Sequence, residues 1–248
     1  HPETLYAVTS SGIYRREGAG DWALVNTLDA RSLAVDLANP DVLWAGVPWD
    51  TEHNAVILKS EDRGRTWGKA DWGIYGATYV TDVLVDPNNP NVLWALARSW
   101  GRHGWPPGMI YRGGRDGHWE RLSLGAFEPN VQNTDSCHVA GISYDPNRRL
   151  LYAGCDLSYF NQGNLLLIRS ENVGAPDSST VSWQVAKRWQ EPLQAQGAAR
   201  PLALDARAPR SVYLSVTVYE RDKPVRYRLL VSHDDGATWE EMALGSGL

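Results

Sequence analysis

Five tryptophans, Trp49, Trp72, Trp100, Trp105 and Trp189, stand with Tyr159, Arg98 and Arg102 in stretches rich in carboxylates, amides and histidines. Planar aromatics of this kind stack on the apolar face of a sugar ring, while arginines and amides such as Asn161 and Gln162 hydrogen-bond hydroxyls or peptide groups. These eight residues are the candidate ligand contacts. Glycosidic cleavage would need two carboxylates roughly 5 to 10 Å apart. Asp82 and Asp135 are the catalytic candidates, with Asp50, Glu52 and Asp156 in the same connections, and no motif selects a pair. His53 and His103 read as solvated loop histidines. The 2 cysteines, Cys137 and Cys155, lack Cys-x-x-Cys spacing, so no metal site is expected, and nothing indicates a cofactor.

What must position these residues is a repeat. The phrase PETLYA at 2–7 returns as PDVLWA at 40–45, PNVLWA at 90–95, PRSVYL at 209–214 and LLYAG at 150–154. Apolar segments ending in Asp36, Asp86, Asp145 and Asp205 precede four copies, and Trp22, Trp67, Trp119, Trp183 and Trp239 follow them, about 45 to 64 residues apart. Each repeat reads as four short strands, at 32–36, 42–47, 55–59 and 67–70 in the second, separated by turn residues. No stretch has the period of a long amphipathic helix. Consecutive four-stranded antiparallel units at this period predict an all-β fold, a β-propeller with five recognisable blades over approximately 1–27, 28–70, 78–122, 137–187 and 198–244. The first repeat begins within the turn between first and second strands and so lacks its innermost strand. The reading favours a segment of a longer propeller over a single ring closed by MALGSGL at 242–248. Hairpin pairing about the Asp145–Arg149 turn sets Val139 opposite Cys155 with Cys137 diagonal to it, which leaves a disulfide and two thiols equally open.

Residues 60–67, SEDRGRTW, and 232–239, SHDDGATW, share Ser-x-Asp-x-Gly-x-Thr-Trp, with degenerate versions at 16–22, 113–119 and 170–183. This pattern resembles the Asp-box of sialidase-like, sortilin-like and xyloglucanase-like propellers. The resemblance implies a structural turn remote from the ligand site and an extracellular or periplasmic location. The box tryptophans, with Trp44 and Trp94 of the second strands, then fill seven structural slots among the 12 tryptophans. The other five fall on the opposite, loop-rich rim.

With 43% hydrophobic residues, 21% charged residues and a net charge of −5, the chain is neither disordered nor a basic nucleic-acid binder, and no apolar run suits membrane insertion. The reading leans to a non-catalytic module binding a glycan or peptide through its aromatic rim. The alternative is a glycoside hydrolase, sialidase-like or xyloglucanase-like, or part of one. The Arg-Ile-Pro phrase common in sialidases is absent.

Overall fold

The computed structural model describes residues 3–99, 108–124, 137–156, 164–190, 195–205, 211–220, 223–234 and 236–242. The chain divides into two compact units, His1–Arg121 and Leu122–Leu248. The described residues form antiparallel strands with no α-helix, and therefore no helix long and apolar enough to cross a membrane.

In the first unit, β1 (Thr4–Thr9), β2 (Gly12–Glu17) and β3 (Ala23–Asn26) make a three-stranded meander. Strands β4 (Ser32–Val35), β5 (Leu43–Asp50), β6 (Ala55–Ser60) and β7 (Gly68–Lys69) make a second, close to the strands expected from the repeat. A third comprises β8 (Tyr79–Val85), β9 (Leu93–Arg98), β10 (Gly108–Gly113) and β11 (Trp119–Arg121). One pairing, Pro48 with Tyr79, links β5 to β8 and joins these two meanders into a continuous sheet.

Strand β5 explains the sequence pattern. Its residues Leu43 to Val47 are buried on both faces, as in a strand sandwiched between neighbouring sheets. Trp44 enters a core with Val83, Ala95 and Trp119 of the third meander, while Ala45 and Val47 enter one with Ile13 of the first, flanked by Tyr6 and Val8. Gly46 sits where β8 comes close: a Cβ there would lie 2.7 Å from Val80 Cγ1 and 2.9 Å from its carbonyl oxygen.

The repeated aspartates end their strands in Asx-turns, in which a carboxylate oxygen accepts amides two or three residues on. Asp36 Oδ1 accepts from Ala38 and Asn39, Asp86 Oδ1 from Asn88, and Asp145 Oδ1 from Asn147 and Arg148. The two full Ser-x-Asp-x-Gly-x-Thr-Trp turns share the same set of hydrogen bonds. Gly64 N donates to Ser60 Oγ (2.8 Å), Thr66 N and Oγ1 to the two oxygens of Asp62 (2.9 and 2.6 Å), and Trp67 Nε1 to Gly64 O (3.0 Å). Gly236, Thr238 and Trp239 repeat this around Ser232 and Asp234. Gly64 and Gly236 have φ of 86° and 92°, which favours glycine. In the inserted version Asn172 replaces the aspartate, accepting from Ser170 Oγ and Ser182 N. Trp22 departs from expectation. Its segment lacks the serine and aspartate that build the turn, and the indole is exposed, with the Arg16 guanidinium 5.2 Å from its centre.

In the second unit, β12 (His138–Asp145), β13 (Leu150–Asp156), β14 (Asn164–Ser170) and β15 (Gln184–Gln190) form one meander. Another comprises β16 (Ala195–Asp205), β17 (Ser211–Glu220), β18 (Arg226–Ser232) and β19 (Glu240–Glu241). Tyr152, Leu165, Leu167, Val212, Leu214, Val216 and Leu230 form their common core. Val139 pairs with Cys155 as expected, but by a different register: Asp145 pairs with Leu150 rather than Arg149, and a bulge between Val139 and Gly141 compensates. Cys137 and Cys155 are joined in a disulfide.

Candidate functional site

The first unit contains a groove of about 660 Å³ built from three separated segments. One wall is the end of β5 and the turn after it, Val47 to His53. The second is the link out of β3, Asn26 to Asp29. The third is Arg65, Thr66 and Trp67 of the box turn.

The register of β5 presents the first wall. Between the pairs Gly46–Ile57 and Asp50–Ala55, β5 has three residues where β6 has one, a bulge of the kind that re-aims side chains. The pairing with β4 stops at Gly46, so the backbone beyond finds other partners: Pro48 pairs with Tyr79, and Trp49 N donates to Thr78 O (2.7 Å). Trp49 is left 49% exposed. Asp50 then nucleates the turn, its Oδ1 accepting the amides of Glu52 (2.8 Å) and His53 (3.3 Å), and its Oδ2 lying 2.9 Å from His53 Nδ1. Asn54, at φ 52°, completes the reversal.

The opposing walls are tied together. Asn26 Oδ1 accepts from Leu28 N (2.9 Å) and its amide donates to Arg65 O (3.0 Å), bringing residues 39 apart in sequence into one rim. Burial pushes the Asp50 carboxyl upward, but the hydrogen bonds from the His53 ring and the two backbone amides outweigh it, so Asp50 titrates below its ordinary range. It is a fixed anion at neutral pH and a poor proton donor. Asp29 is paired with Arg31 at 3.2 Å.

Of the residues singled out from sequence, Trp49 lines this groove. Trp72 does not: it stacks on His118 (6.2 Å between centres) and exchanges backbone hydrogen bonds with Gly117 and Trp119. Trp189, on β15, lies edge-to-face with the box residue Trp239 at 5.7 Å and packs against the second unit's core. Both therefore contact the box segment of the following repeat. Arg98 ends β9, where its carbonyl accepts from Thr78 N (2.7 Å). Asp82 is buried in β8, its Oδ2 accepting from Thr81 Oγ1 (2.9 Å). Trp100, Arg102, Trp105, Asp135 and Tyr159 lie outside the described residues.

One reading needs correction. His53 is not a solvated loop histidine but is hydrogen-bonded to Asp50, with its side chain 23% exposed; aspartate and histidine three apart across a tight turn was the available signal. That Arg65, Thr66 and Trp67 of the Ser-x-Asp-x-Gly-x-Thr-Trp turn form one wall of the groove is signalled by nothing local. Among the described residues, no three His, Cys, Asp or Glu side chains converge as metal ligands would.

No protein-family model matches the sequence, and no curated protein is significantly similar to it. Solved structures are. A GH74 xyloglucanase from Xanthomonas campestris matches over 98% of this chain and 37% of its own, at TM-score 0.53 and 15% identity. An ancestral GH74 enzyme matches over 98% of this chain and 32% of its own, at 0.51 and 15%. An α-L-arabinanase from Penicillium chrysogenum, complexed with arabinobiose, matches over 89% and 68%, at 0.54 and 14%. The chain thus spans about a third of the length of the two GH74 enzymes. At these identities the likeness establishes the architecture, and together with the consecutive antiparallel meanders it makes the fold a β-propeller.

Proposed function

We propose that the chain is an Asp-box propeller that binds an uncharged glycan in the groove beside Trp49, its repeats acting as five blades of which the first lacks an inner strand. The observation that carries this is the half-exposed indole of Trp49, set by a bulge beside the hydrogen-bonding groups of Asp50, Glu52 and His53. An exposed aromatic face flanked by polar groups suits a pyranose or furanose ring, apolar on its faces and hydroxylated at its edge. Charge selects among glycans. Asp29, Asp50 and Glu52 line the groove against the single guanidinium of Arg65, which disfavours acidic sugars and peptides and sets a sialidase-like triple-arginine site aside. The xyloglucanase and the arabinobiose-bound arabinanase among the similar structures suggest the first ligands to try. The disulfide supports an extracellular or periplasmic location.

The test is titration calorimetry with arabinobiose and a xyloglucan oligosaccharide, against sialyllactose and an acidic peptide. Saturable binding of a neutral oligosaccharide alone supports the reading; preference for either anionic ligand overturns it. A second reading, glycoside hydrolysis, draws on Asp50 as a fixed anion with Glu52 on the same turn. It requires turnover of an aryl glycoside that is lost in Asp50→Asn.

A further inference from the structure

His53 is the one imidazole lining the groove, and its orientation is fixed from below. Asp50 is itself immobile, with one carboxylate oxygen held by two backbone amides and the other 2.9 Å from His53 Nδ1. A carboxylate in this state only accepts, so in the neutral imidazole the proton resides on Nδ1 and Nε2 carries the lone pair. Nε2 has no hydrogen-bond partner among the described residues and is not among the buried polar atoms, so it is open to solvent. Among the described residues, the other charged groups lining the groove are Glu52 on the same turn, Asp29, paired with Arg31, on the link from β3, and Arg65 on the Ser-x-Asp-x-Gly-x-Thr-Trp turn. Lys69 of β7 donates to Asn54 O at 2.7 Å.

We propose that His53 is a proton-switched specificity residue: its bare Nε2 demands a hydrogen-bond donor, a free hydroxyl, from the ligand unit stacked on Trp49, and this demand disappears when the ring is protonated. The inference rests on the groove being the glycan site. A neutral ring bound at Nδ1 can only accept at Nε2, so a methyl ether in place of the hydroxyl leaves that acceptor facing an oxygen. A protonated ring donates at Nε2, and an ether oxygen then serves as well as a hydroxyl. Discrimination between hydroxyl and ether is therefore large while the ring is neutral and small once it is protonated, whatever the absolute affinity does.

The experiment has two arms. Imidazole ¹⁵N NMR of the wild type at pH 8 should show His53 protonated at Nδ1, and Asp50→Asn, which retains an oxygen for the turn amides, should weaken that preference; the Nε2–H form in the wild type overturns the proposal. Arabinobiose and its singly O-methylated derivatives are then titrated at pH 8 and pH 5. One derivative should lose about tenfold in affinity at pH 8 and less than twofold at pH 5. In His53→Gln, whose amide can donate or accept, the two ratios should agree. Discrimination that is independent of pH in the wild type overturns this inference and leaves the glycan reading standing, whereas no binding of arabinobiose, of its derivatives or of the xyloglucan oligosaccharide removes both.

Discussion

Replacing Trp49 by alanine tests the proposed ligand contact, provided that binding and folding are measured together. A tryptophan side chain presents up to about 250 Å². With 49% of it exposed, roughly 120 Å² is free to meet a ligand. A stacked sugar ring covers about half of that, and at ~25 cal/mol per Å² the contact contributes about 1.5 kcal/mol, or roughly tenfold in Kd. The same substitution leaves the backbone bond from Trp49 N to Thr78 O intact, but it also removes the half of the side chain that is packed against the protein. By the same bookkeeping that half contributes up to ~3 kcal/mol of stability, so the binding loss has to be read on a variant shown to be folded. The assay is calorimetric titration with arabinobiose or a xyloglucan oligosaccharide, paired with a thermal melt of each variant. A roughly tenfold weaker Kd, measured well below the melting transition of the variant, supports stacking. An affinity within twofold of wild type under the same conditions refutes the placement of the ligand on this indole.

Three further outcomes follow from the framework around the groove. Gly46→Ala sets a Cβ 2.7 Å from Val80 Cγ1 and should destabilise the first unit by about 1–3 kcal/mol in denaturant unfolding, while Gly68→Ala, with open space around its Cβ, should be far milder. Hydrogen bonds from Thr66 and Thr238 lower Asp62 and Asp234 from 3.8 to about 2. Groups depressed on folding stabilise above their unfolded pKa, so this contribution is intact above about pH 4 and lost as pH falls towards 2, and the double variant Asp62→Asn/Asp234→Asn should show a shallower acid decline in Tm. Reducing Cys137–Cys155, separated by 18 residues, removes about 3 kcal/mol of chain-entropy stabilisation and should lower the Tm of the second unit by roughly 10 °C.

The sequence carried the framework further than the site because the two depend on contacts of different range. Strand pairs such as β12–β13 are hairpins, so which strands pair was legible from the turn, although the register runs one residue off at the turn (Asp145 with Leu150) and a bulge between Val139 and Gly141 is what brings Val139 opposite Cys155. The Ser-x-Asp-x-Gly-x-Thr-Trp turns are equally local, each closing its hydrogen bonds within eight residues. The contacts of Trp72 and Trp189 could not be read from the sequence because their partners, His118 and Trp239, lie about 46 to 50 residues on, and contact between successive repeats leaves no short-range pattern. The second wall of the groove was illegible for the same reason, since it depends on Asn26 reaching the carbonyl of Arg65.

Why the groove forms beside β5 follows from a mismatch of strand lengths. β9 has six residues and is paired with β8 from Val85–Leu93 to Tyr79–Arg98, so its whole length is covered on that side. β5 has eight, and β4 covers it only as far as Gly46. The overhang must satisfy its backbone elsewhere, and Pro48, without an N–H, lowers the demand by one donor. What remains is met by the segment at Thr78 and Tyr79, and that pull, with the bulge against β6, turns Trp49 outward and starts the turn that locks Asp50 onto His53. The aromatic surface and the oriented imidazole are thus two consequences of one register fault. A substitution that repairs the bulge should therefore impair ligand stacking and the pH-dependent discrimination together, whereas Trp49→Ala should weaken binding without altering the His53 tautomer seen by ¹⁵N NMR.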